Sequence, residues 1–156
     1  MKKTRMLTAL LLAVALLCTA VLAFAENASC MYIDGRNARK VHLRQEPSTK
    51  SKSLGLFYTG TPVIPLSSPT TGWFQVRIGD ETGYVSATYL NAVCPESKAP
   101  LAVMNNPNSN WAHLRSGASR QSQSIGRLYN DDIVYVLGEL NSGWTYVQSG
   151  DQMGYV

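Results

Sequence analysis

Residues 72–85 read Gly-Trp-Phe-Gln-Val-Arg-Ile-Gly-Asp-Glu-Thr-Gly-Tyr-Val, and residues 143–156 read Gly-Trp-Thr-Tyr-Val-Gln-Ser-Gly-Asp-Gln-Met-Gly-Tyr-Val. Each segment is two short runs joined at a Gly-Asp step, where glycine supplies the positive φ that a tight hairpin needs. The match extends outward. Shifted by 71 residues, positions 41–85 align with 112–156 without a gap, and 18 of the 45 pairs are identical. One compact unit has been built twice, a pattern that points to a binding array rather than to a single catalytic centre.

Between the Gly, Pro, Ser and Asn clusters lie short β-branched and aromatic runs, and no window after the first 25 residues keeps a helical period. In the first copy the expected strands are Lys40–Arg44, Ser53–Tyr58, Thr61–Leu66, Trp73–Ile78 and Thr82–Val85. The second copy offers Trp111–Arg115, Ser124–Tyr129, Ile133–Leu137, Trp144–Gln148 and Met153–Val156. Five short strands per unit are too few for a wide sandwich but enough to curl into a small barrel that hides its own edges. The fold class expected is therefore all-β, two small barrels in tandem. Residues 26–95 are the first, 96–100 a polar, proline-bounded linker, and 101–156 the second.

Ahead of the copies stands an export address, residues 1–25. Lys2, Lys3 and Arg5 precede an apolar run from Met6 to about Leu22, and Ala23-Phe24-Ala25 offers a peptidase site. Cleavage there would leave Glu26 first and no membrane attachment. The leader also holds three of the 14 basic residues and none of the 10 acidic ones, so 11 basic face 10 acidic in the remainder. Such a balance argues against a nucleic-acid partner, which needs a basic surface.

Cys30 and Cys94 bracket the first copy. In an exported chain such a pair reads as a disulfide staple. Two reduced thiols are the alternative, and a zinc site lacks its Cys-x-x-Cys spacing and neighbouring histidines. No metal or other cofactor is called for.

Val41-His42-Leu43-Arg44, Pro47-Ser48, Ser53-Leu54-Gly55, Val63, Gly72-Trp73, Val76, Gly83-Tyr84-Val85 and Tyr89-Leu90 resemble the bacterial SH3 domain. The second copy keeps the order as Ala112-His113-Leu114-Arg115, Ser119, Ser124-Ile125-Gly126, Val134, Gly143-Trp144, Val147 and Gly154-Tyr155-Val156. The resemblance implies small β-barrels on an exported bacterial protein, many of which assist binding to peptidoglycan, often beside a cell-wall hydrolase domain. Three departures stand out. Histidine occupies a position where many members carry asparagine, Ala118 replaces the proline matched by Pro47, and the second copy has no counterpart of Ser86–Leu90 before Val156. The last departure is expected of a fragment of a longer protein, or of a barrel completed by another chain.

Candidate ligand-binding residues are the repeated aromatics Tyr58, Trp73 and Tyr84 with Tyr129, Trp144 and Tyr155, and the arginines Arg44 and Arg115. Aromatic faces stack on sugar rings or peptide backbone, and guanidinium pairs with carboxylates. Core packing accounts for repeated aromatics equally well, and each arginine serves as well to tie a loop to its barrel. Trp73 and Trp144, each after a glycine at a loop-to-strand junction, are the stronger candidates. His42 and His113 lack a local triad or zinc partner and read as solvent-facing or turn-bonded imidazoles.

No phosphate loop, nucleophile elbow or Asp-Cys-Ser-Gly context of the NlpC-class endopeptidases is present, so no enzyme activity is expected. The expected function is a secreted, cell-wall-associated binding module for the peptide or glycan of peptidoglycan. The rivals are a targeting segment of a longer cell-wall hydrolase and an adhesin or scaffold that binds another protein.

Overall fold

The computed structural model describes residues 30–156. The expected leader, residues 1–25, lies outside the described residues. The described chain is all-β, as expected. Its strands are β1 (Met31–Ile33), β2 (Lys40–Arg44), β3 (Ser53–Tyr58), β4 (Pro62–Pro65), β5 (Trp73–Ile78), β6 (Glu81–Ser86) and β7 (Leu90–Asn91). The second copy contributes β8 (Leu101–Val103), β9 (Trp111–Arg115), β10 (Ser124–Tyr129), β11 (Ile133–Leu140), β12 (Thr145–Ser149) and β13 (Gln152–Tyr155).

The two Gly-Asp hairpins form in the same way in both copies. Ile78 pairs with Glu81 and Ser149 with Gln152, leaving Gly79-Asp80 and Gly150-Asp151 as two-residue loops. Gly79 and Gly150 take φ 59° and 56° while the aspartates that follow do not cross to positive φ. Positive φ at the first central residue alone is the type II′ pattern, whose twist matches the flanking strands.

Alternation then sorts the strands into faces. In β2, Val41 and Leu43 point inward, 6% and 0% exposed, whereas Lys40, His42 and Arg44 line the outer face. The same rule buries Val76 and Ile78 in β5 and Leu114 in β9.

The two copies are not separate bodies strung on a linker. β11 runs to Leu140, three residues beyond the expected strand end, and this extension pairs with β3 in the register Gly138↔Phe57, Glu139↔Leu56, Leu140↔Gly55. The antiparallel order is β10-β9-β13-β12-β11-β3-β2-β6-β5-β4-β1-β7, with β8 on β11. Glycine at 138 is what permits the junction, since a Cβ there would run into the ring of Phe57. One large core follows: Ile33, Val41, Leu43, Phe57, Val76, Ile78 and Val85 of the first copy pack with Leu137, Leu140, Tyr146 and Tyr155 of the second. A smaller cluster of Leu114, Leu128, Val134 and Val147 belongs to the second copy alone. The stretch expected as a linker is itself held, since Lys98 N–H donates to Thr59 O at 3.0 Å and Val136 N–H to Pro100 O at 2.9 Å.

Candidate ligand-binding groove

The outer face of β2 opens onto a cavity of about 400 Å³ lined by Lys40, His42, Arg44, Thr49, Trp73 and Tyr89, among others. Two expected site residues, Trp73 and Arg44, meet here. Trp73 starts β5 directly after Gly72, whose φ of 82° turns the chain sharply into the strand. With the glycine in that left-handed conformation the indole stays half-buried at the rim instead of sinking into the core.

Arg44 serves two purposes. Its Nη1 donates to Ser51 O at 2.7 Å and ties the β2–β3 loop down, and the residue lines the cavity. Arg115 makes the same tie to Ser122 O, also at 2.7 Å. Lys40 is already engaged: its Nζ lies 2.8 Å from Glu139 Oε2 and 4.5 Å from the centre of the Tyr58 ring. The Glu139 hydrogen bond, ahead of the contact with Tyr58, raises the lysine pKa.

His42 Nδ1 lies 2.9 Å from Ser53 Oγ, and Ser53 Oγ–H donates to Gly55 O at 3.1 Å. The copy repeats the relay, with His113 Nδ1 2.8 Å from Ser124 Oγ and Ser124 Oγ–H donating to Gly126 O at 3.2 Å. Burial, followed by the positive charge of Arg44, holds the His42 imidazole below the usual histidine range.

The remaining candidates separate. Trp144 lines a second, more open cavity with Ala118, Ser119, Arg120, Gln121 and Val156, to which neither His113 nor Arg115 contributes. Tyr129 is exposed and Tyr84 half-buried, and neither lines either cavity. Tyr58 is only 7% exposed, its ring serving as a platform for Lys40. Tyr155 corrects the expectation of a groove residue: it is fully buried, packs against Tyr146 with ring centres 4.8 Å apart and planes tilted by 38°, and donates its hydroxyl to Ile78 O at 2.8 Å. The reason is the junction between copies, which covers Tyr155 and leaves its counterpart Tyr84 at the surface.

Residues that the repeat comparison passed over also belong to the groove. Lys40 and Tyr89 line it, and Lys40 was accessible to simple alternation, two residues before His42 on the same strand face. Its counterpart is Trp111, so identity between copies hides it. Trp111 instead meets His113 edge-on at 4.7 Å and carries the Arg127 guanidinium 4.4 Å from its ring centre.

Cys30 and Cys94 are free thiols, both exposed, so the expected staple is not made in the structure. They line a common cavity with Tyr32 and Tyr135, because β1 pairs with β7 in the register Tyr32↔Asn91, Ile33↔Leu90 and brings both strand ends together.

The duplicated β unit thus carries, in its first copy, an aromatic and cationic groove on one strand face. The bacterial SH3 domain family matches residues 39–91 and 112–156, and the chain belongs to that family. No curated protein matches it. Among solved structures it is similar to NlpC2 from Trichomonas vaginalis, with 19% identity, a TM-score of 0.36 and coverage of 81% of this chain and 44% of that one. NlpC1 from the same organism gives 18% identity and a TM-score of 0.37, covering 81% of this chain and 42% of that one. The chain spans less than half the length of these solved chains.

Proposed function

We propose that this chain is an exported, non-catalytic module that attaches to the cell wall by holding the peptide or glycan of peptidoglycan. The observation that carries the reading is the first-copy cavity, where a half-buried indole, Trp73, stands beside the cation of Arg44 and the imidazole of His42. Aromatic face, guanidinium and ring nitrogen are the groups that stack on a backbone or sugar and fix its polar atoms. Membership of the bacterial SH3 family supports the reading, and the leader residues support export.

Retention on purified peptidoglycan tests it. Trp73→Ala is expected to reduce pelleting while the circular dichroism of the sheet is unchanged, because an indole at a cavity rim contributes contacts to a ligand rather than to the core. Parent protein that stays in the supernatant with every cell wall tried would end the proposal.

A further inference from the structure

The tautomer of His42 is coupled to the Ser53 hydroxyl beside it. Gly55 O is a carbonyl and only accepts, so when the single hydroxyl proton of Ser53 goes to it, at 3.1 Å, Ser53 Oγ meets His42 Nδ1 as an acceptor. In that arrangement Nδ1 carries the proton. In the neutral ring the remaining nitrogen, Nε2, is left as a bare lone pair, and it makes no hydrogen bond within the described residues. The identical relay at His113, Ser124 and Gly126 shows that the arrangement is built in by the repeat rather than local to one loop.

Arg44 stands two residues from His42 on the same strand face, about 6.5 Å away along the backbone, and its guanidinium has donors beyond the one given to Ser51. Lys40 is neutralised by Glu139, so Arg44 is the cation left over. The groove therefore presents an acceptor and an unspent donor cluster side by side, with an indole near both. A simple anion satisfies the arginine and is repelled by the lone pair. A neutral glycan meets the lone pair and leaves the charge without a partner. The last residue of a peptide satisfies both, since its amide N–H and its terminal carboxylate are separated by a single Cα.

We infer that the first-copy groove recognises a free peptide C-terminus, the terminal carboxylate on Arg44, the last amide N–H on Nε2 of His42, and the residue's apolar side on Trp73. This rests on the cell-wall reading and narrows it to the peptide, and to the end of the peptide. The depressed basicity of His42 keeps the lone pair available at neutral pH.

The test is an NMR titration of the whole chain with acetyl-alanyl-alanine, its C-terminal carboxamide, the analogue methylated on the last amide nitrogen, and inorganic phosphate, alongside pelleting on peptidoglycan. The carboxamide and the N-methyl analogue are each expected to bind about tenfold more weakly than the free acid, the usual loss for an unmet charge-assisted or buried hydrogen bond. His42→Asn separates recognition from folding, because an asparagine amide reaches Ser53 as Nδ1 does but has nothing in the place of Nε2. In that variant the N-methyl penalty is expected to vanish while the carboxamide penalty stays. Equal binding of acid and carboxamide, an N-methyl penalty unchanged in His42→Asn, or phosphate that competes on equal terms each overturns the inference. Pelleting without any peptide binding overturns it and leaves the cell-wall reading standing, whereas neither pelleting nor peptide binding removes both.

Discussion

The hydroxyl of Tyr155 donates to the carbonyl of Ile78 at 2.8 Å, a buried hydrogen bond that crosses from one copy of the repeat to the other. Tyr155→Phe leaves that carbonyl without its partner, and the expected cost is about 1–3 kcal/mol of stability. Tyr84→Phe, at the matching position in the first copy, is expected to cost little, because Tyr84 is half-buried and lies away from the junction. Denaturant midpoints of the two variants measure the contrast.

Alkaline pH probes the same bond. Burial, then the neighbouring Tyr146 and Glu81, push the Tyr155 phenol well above its ordinary value of 10.0. The folded chain thus holds this proton more tightly than the unfolded chain, so stability is intact below pH 10 and falls as the pH rises past it. Phenolate absorbance from Tyr155 is expected to appear together with loss of the sheet signal, and Tyr155→Phe is expected to resist alkali relative to its own neutral stability.

Gly138→Ala is expected to destabilise by about 1–3 kcal/mol, the range for overpacking a filled core. The added methyl has to displace the fully buried ring of Phe57. Since Phe57 and Leu140 share one core, calorimetry is expected to show both copies melting in a single transition in the parent chain, at a lower temperature in the variant. A first copy that keeps its parental melting temperature in Gly138→Ala would contradict this.

The ion pair between Lys40 and Glu139 also bridges the copies, but both side chains are partly in solvent, 28% and 49% exposed. Glu139→Gln is expected to cost about 0.2–1 kcal/mol at low salt, and less as ionic strength rises. A salt series of thermal melts checks the trend.

Cys30 and Cys94 are expected to bridge when the chain is exposed to a disulfide oxidant, because the pairing of β1 with β7 brings both thiols to one cavity. Closing this loop is worth about 4 kcal/mol on the chain-entropy account. Peptide mapping without reductant identifies the bridge, and two free thiols after oxidation would refute it.

Hairpin geometry was legible because glycine, aspartate and alternation act locally. The β5–β6 and β12–β13 loops need only Gly79-Asp80 and Gly150-Asp151 to be specified. Less local elements were not. β1, β7 and β8 are two or three residues long, too short to show a period, and form only because a partner edge waits for them. The last three residues of β11 become strand because β3 offers a free edge, a fact about the other copy and not about Gly138, Glu139 or Leu140. Trp73 and Arg44, singled out by repetition, line one cavity, whereas Lys40, where repetition fails, was not singled out. Tyr155 was misplaced for the converse reason: equal residues at equal positions, Tyr84 and Tyr155, sit in unequal surroundings once two copies lie side by side.

The β3–β11 pairing has a bearing on valency. Two weak sites joined by a loose tether sample many separations, and their gain in avidity depends on tether length. Here the copies share a sheet, and Lys98 and Pro100 of the intervening stretch are bonded to its strands, so the cavities beside Trp73 and Trp144 stand a set distance apart. On the proposed cell-wall reading, and if both cavities hold ligand, a polymer whose repeat matches that spacing would be gripped at both points with little further entropic cost, whereas other repeats would engage one point at a time.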